Sequence, residues 1–222
     1  MKRSRWMLPA VILLTMGGVA WADDDDSLSL GVGLERSSGK YGGVSTTDTT
    51  SVPVFLRYAS DDWSLKLSVP YLLVTGDGSV ITGGGHGGGR RTTTSVTTTT
   101  RTTRSGLGDV VAFAGYRLLS SDAGDAGLDV AGRVKFGTAN TTLGSGENDY
   151  AVQASTYLEL GDITPSLMLG YEVLGSSATA QLDNAVYGSA GLDCLLSNET
   201  NIGMDYCVLI RLAPKITTGS GF

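Results

Sequence analysis

The chain repeatedly falls into strict every-second-residue alternation, and the favoured parity is free of charge. Nine such segments can be counted. They run through Leu28, Leu30, Val32 and Leu34; Val52, Val54, Leu56 and Tyr58; then Trp63, Leu65, Leu67, Val69, Tyr71 and Leu73. The fourth to sixth carry Val110 to Leu118, Leu128 to Phe136 and Tyr150 to Leu160; the last three carry Leu167 to Val173, Val186 to Leu196 and Ile202 to Ile210. The opposite parity holds Glu35, Arg57, Lys66, Arg117, Asp129, Arg133, Lys135, Gln153, Glu159, Glu172, Asp193, Asp205 and Arg211. Alternation of this period means strands with one apolar and one polar face. A soluble sandwich would also alternate, but with shorter strands. Runs of about 9–13 residues match the length a tilted strand needs to cross a bilayer.

The connections sharpen this reading. Short ones, near residues 59–62, 119–126, 161–164 and 197–200, alternate with long ones at 36–50, 75–107, 138–148 and 175–184. An outer-membrane barrel has tight periplasmic turns and outward loops that are free to grow. Aromatic residues agree: Tyr58, Trp63 and Tyr116 fall at one end of the strands, Tyr71, Tyr150 and Tyr171 at the other, the positions of interfacial girdles. The expected fold is an all-β transmembrane antiparallel up-and-down β-barrel. Nine strands are visible, whereas single-chain bacterial barrels use an even number. Strand nine ends near Pro214, and the tail Lys215 to Phe222 does not alternate, so the expectation is a C-terminally truncated barrel of about ten to twelve strands when complete.

Residues 1–22, MKRSRWMLPAVILLTMGGVAWA, have a basic start, an apolar run from Trp6 to Val19 and a small-x-small close at Ala20-Trp21-Ala22. This is the pattern of a secretory signal cleaved after Ala22, leaving residues 23–222 as the barrel. Removing Lys2, Arg3 and Arg5 takes the formal charge from −6 to −9, which disfavours a nucleic-acid partner. The run Asp23 to Asp26 lacks the alternating spacing of a calcium loop and reads as a solvated acidic start. Expected partners are outer-membrane lipid and lipopolysaccharide, the barrel-assembly machinery and a small-molecule solute.

The longest connection contains GGGHGGGRR and then arginines set among threonines. A phosphate cradle would need a following helix and a Lys-Ser/Thr pair, and neither is there. His86 has no His or Cys near it, so no metal and no cofactor are expected. Two readings stay open: a disordered outward loop, or a loop folded into the barrel mouth. In the second, Arg90, Arg91, Arg101 and Arg104 form a cationic constriction.

The inward charges divide by position. Arg57, Lys66, Arg117, Arg133 and Lys135 make one wall basic; Glu159, Glu172, Asp193 and Asp205 make the other acidic. Either the walls set up a transverse field across a water-filled pore, or the charges pair across neighbouring strands and plug a narrow lumen. Cys194 and Cys207 fall on opposite faces, so two free thiols are expected. No nucleophile, base and orienting acid come together, and no enzymatic activity is expected.

Three segments, SGLGD (Ser105 to Asp109), VKFGT (Val134 to Thr138) and LGSGENDY (Leu143 to Tyr150), resemble in order and spacing a bacterial family described as the MetA pathway of phenol degradation. The resemblance covers roughly Ser105 to Tyr206. The family has a Lys-Leu-Pro-Thr-Gly-like stretch where this chain has Lys135, Phe136, Gly137 and Thr138, so the proline is missing. The likeness implies an outer-membrane transporter passing small solutes, aromatic compounds among them. The alternative is a non-transporting structural or interaction barrel that displays its loops.

Overall fold

The computed structural model describes residues 10–22, 26–39, 45–77, 80–82, 89–91, 100–175, 184–197 and 200–211. These residues contain strands, turns and no helix. In chain order the strands are β1 (Ala10–Ala22), β2 (Ser27–Gly39), β3 (Thr47–Ala59), β4 (Trp63–Gly76), β5 (Val80–Thr82), β6 (Gly89–Arg91) and β7 (Thr102–Leu107). They continue as β8 (Val110–Ser120), β9 (Ala126–Phe136), β10 (Asp149–Leu158), β11 (Ile163–Val173), β12 (Ala185–Ser197) and β13 (Thr200–Arg211). One antiparallel sheet runs β1-β2-β3-β4-β8-β9-β10-β11-β12-β13, with β7 beside β4; β5 and β6 form a separate small hairpin. The large sheet curls into a half-barrel whose two outer strands, β1 and β13, do not pair with each other.

All nine strands expected from the alternation are present, as β2, β3, β4 and β8 to β13. The parity is also as expected. Leu28, Leu30, Val32 and Leu34 are exposed, as are Leu65, Leu67, Leu167 and Leu169, while the alternate positions, Lys66 aside, are more covered. Curling accounts for the contrast, because side chains crowd on a concave face and splay on a convex one. The concave face therefore carries the polar parity and the convex face the apolar one. Trp63 and Tyr116, direct cross-strand partners, pack with ring centroids 4.8 Å apart at the end of the tight turns. Tyr71, Tyr150 and Tyr171 are exposed near the opposite end, which we call the rim.

Three expectations about the connections change. The strands β2 and β3 reach to Gly39 and Thr47, so the connection between them is shorter than 36–50. Ser37, Ser38, Thr47, Thr49 and Ser51 extend the ladder past the apolar band, and Thr suits a pleated surface. Residues 102–107, expected within the long loop, form β7 on the rim half of β4, whose other half pairs with β8. Between Tyr71↔Leu107 and Ser68↔Val111, β4 advances three residues while its partner advances four. That extra residue is a β-bulge, and it turns Asp109 onto the concave face, where it is 7% exposed. Finally, β11 begins at Ile163, inside the turn expected at 161–164.

Residues 10–22, expected as a cleaved leader, stand in the full chain as strand β1 along the edge of β2. Their backbone is extended and apolar, and the free edge of β2 offers a row of unpaired N–H and C=O groups. Asp23 and the Gly-rich stretch 83–88, with His86, lie outside the described residues, as does the tail after Arg211.

Candidate functional site on the concave face and its rim

The concave face pairs opposite charges in three places. At the rim, the Lys135 ammonium lies 3.0 Å from Asp109 Oδ2 and 3.0 Å from Asp149 Oδ2, and 3.4 Å from Ser145 Oγ. An ammonium has three protons to donate, and three acceptors surround it. Each carboxylate uses its other oxygen on a connection. Asp109 Oδ1 accepts from the Ala139 N–H at 2.8 Å, and Asp149 Oδ1 from the Gly175 N–H at 2.9 Å. One buried cluster, on β9, β10 and the residue before β8, thereby ties down the start of two connections.

The 138–148 connection is ordered by this cluster. Asn140 organises its turn, accepting from the Leu143 and Gly144 N–H groups through its backbone oxygen and from the Thr142 N–H through Oδ1. Leu143, 2% exposed, is buried with Leu72, Val74 and Ala139. Gly137 is pressed so closely on Gly146 that a Cβ there would lie 2.3 Å from the Gly146 carbonyl carbon. The connection, one of the long ones expected on the outward side, is folded over the rim. The segments SGLGD, VKFGT and LGSGENDY meet here, contributing Asp109, Lys135 and Ser145 with Asp149.

Below the rim, Arg133 Nη2 lies 2.7 Å from Glu172 Oε1, the two side chains being 11% and 1% exposed. These residues sit two strands apart, and both face Ala151 on the strand between them. The small Ala151 leaves room for the longer side chains to meet above it. Tyr187 repeats the device. It covers Gly170 on the middle strand and donates from its hydroxyl to Gln153 Oε1 at 3.1 Å. Nearer the tight turns, Arg117 Nε and Asp129 Oδ1 are 3.7 Å apart on adjacent strands and half-exposed.

Three of the five basic-wall residues are therefore matched locally by carboxylates: Arg117, Arg133 and Lys135. Of the acidic wall, Glu172 takes part in this pairing. Glu159 lies just past the end of β10 and is exposed; its N–H donates to Asp125 O, one step beyond the last β9–β10 pair. Asp193 is exposed on β12 opposite Gly203 and Thr164. Asp205 is placed by backbone register opposite Gly191.

The loop arginines separate. Arg90 and Arg91 lie on β6, and their side chains fall outside the described residues. Arg101 pairs with Asp48 at the outer end of β3, beyond the apolar band. Hydrogen bonds from Ser38 and then Arg101 hold the Asp48 carboxyl below its ordinary value. Arg104, on β7 opposite Val74, donates to Thr142 O at 2.7 Å and so reaches the folded 138–148 connection. Arg101 and Arg104 thus go to different partners. Cys194 is a free thiol; the Cys207 side chain lies outside the description.

Sequence reasoning missed Asp109 and Asp149. Both hold the inward parity of the strand they open, Asp109 with Phe113 and Arg117 and Asp149 with Gln153, but each lies one residue before the first apolar position of its segment. Both lie within the resembling segments, which was the available signal. No family model and no curated protein matches the chain.

Proposed function

We propose that this chain is an outer-membrane channel for passive passage of small solutes, aromatic compounds among them. The observation that carries the reading is the inversion of the sheet: its convex face exposes leucine, valine and tyrosine along strand after strand, while ion pairs and hydroxyls occupy the concave face. In water such a surface would aggregate. Against acyl chains it is the matched one, with aromatic residues at both margins of the band. The charged leader pattern and the short-motif resemblance support export to that membrane.

A second reading, a barrel that displays loops and passes nothing, is favoured by one feature. The 138–148 connection folds over the rim and is fastened by buried charges. The test begins with outer membranes from cells expressing the 222-residue chain. A heat-dependent mobility shift on an SDS gel would mean that the half-barrel closes in the membrane, and single-channel steps in a planar bilayer are then expected. A heat shift without conductance would favour the display reading, and neither would sink both.

A further inference from the structure

Two of the concave-face cations have no carboxylate within salt-bridge distance among the described residues. They are Arg57 and Lys66, and they are direct cross-strand partners on β3 and β4. Both are exposed, in contrast to buried Lys135. Like charges placed opposite each other on a sheet repel and destabilise it. Here the repulsion stands next to a face where Arg117, Arg133 and Lys135 have each been given an acid.

The surroundings are aromatic. The Lys66 ammonium lies over the Phe55 ring, 4.5 Å from its centroid. That ring covers Gly31 on β2, where a Cβ would come within 2.4 Å of it. On the other side, Phe113 is the cross-strand partner of Lys66. Glu35 is close enough for Lys66 to act on it electrostatically, yet it makes no ion pair with either cation. One acid against two cations leaves the patch positive.

We infer that Arg57 and Lys66 together bind a small carboxylate with an apolar body. The inference rests on the channel reading for its biological use, but the site itself does not. A guanidinium receives a carboxylate through two parallel N–H donors, and the neighbouring ammonium adds a point charge. Phe55 and Phe113 offer ring surface to the rest of the molecule. The bound anion removes the repulsion between the two side chains, so it stabilises the sheet as well as being held by it.

Butyrate is the probe, used at constant ionic strength with the full chain and an Arg57→Gln/Lys66→Gln double variant. A heat-dependent gel shift in both establishes that the variant folds. In detergent, butyrate should raise the thermal midpoint of the parent and leave the variant unmoved. In a bilayer under a KCl gradient, the parent should prefer anions and the variant should lose that preference severalfold; butyrate should reduce the chloride current of the parent alone. Binding without any conductance would remove the channel reading and keep the site. If butyrate fails to stabilise the parent, or stabilises both proteins equally, the site is overturned.

Discussion

At the scale of single residues, the two kinds of ion pair should behave differently. Replacing Lys135 by methionine leaves Asp109 and Asp149 buried together without their cation. Removing one member of a buried ionic group in this way costs about 3–5 kcal/mol. Arg117→Met breaks a half-exposed 3.7 Å pair. Such pairs are worth about 0–1 kcal/mol. Urea unfolding of the refolded proteins should therefore separate the two variants clearly; equal midpoints would mean that the rim cluster contributes no more than a surface contact. The residues of this cluster were only half visible beforehand. Lys135 follows from alternation; its two partners keep the same inward parity but precede the first apolar residue of their strands, where the alternation is no longer marked by hydrophobic residues. Arg133 was assigned to a wall without its partner, because contact with Glu172 requires knowing that Ala151 lies between them.

At the scale of strands and their connections, what was legible is the ladder. Nine strands appear where the alternation puts them, since the period is set by backbone geometry and needs no tertiary information. The connections were less legible. Residues 102–107 looked like loop because threonine, arginine and serine give no apolar parity, yet they complete the rim half of the β4 ladder. The folding of 138–148 depends on Gly137 and Gly146 touching backbone to backbone, which permits a testable contrast. Gly137→Ala must push this connection off the rim, and overpacking of this kind costs about 1–3 kcal/mol. Gly132→Ala, where a Cβ would meet nothing within 4 Å, should be close to neutral. Limited proteolysis is the readout: cleavage within 138–148 should rise in the first variant alone, with the strand signal in circular dichroism unchanged in both. Cleavage equal to the parent would mean that the connection is held without that contact.

At the scale of the whole molecule, the order of strands governs how the sheet can assemble. Along the sheet every neighbour but one is joined by a brief turn or a modest connection; between β4 and β7, residues 77–101 intervene, against 60–62 between β3 and β4. Closing a flexible loop costs only about 0.6 kcal/mol more for each doubling of its length. Replacing residues 78–100 by an Asn-Gly turn should thus stabilise the sheet by about 1–2 kcal/mol and quicken refolding into detergent. An unchanged refolding rate would mean that the β4 junction is not the slow closure. The strand path has a kinetic reading that its static description leaves out. Contacts between chain neighbours form early, and those across a long excursion wait for the ends to find each other. The half-barrel is then two meanders, β1 to β4 and β7 to β13, divided by that excursion. The seam between them closes late, and the bulge that aims Asp109 lies on that seam. Lys135 meets Asp149 across the β9–β10 hairpin and Asp109 beside the start of β8, so its cluster can assemble within the second meander, and only the bulge before Asp109 waits for the joining of the two halves.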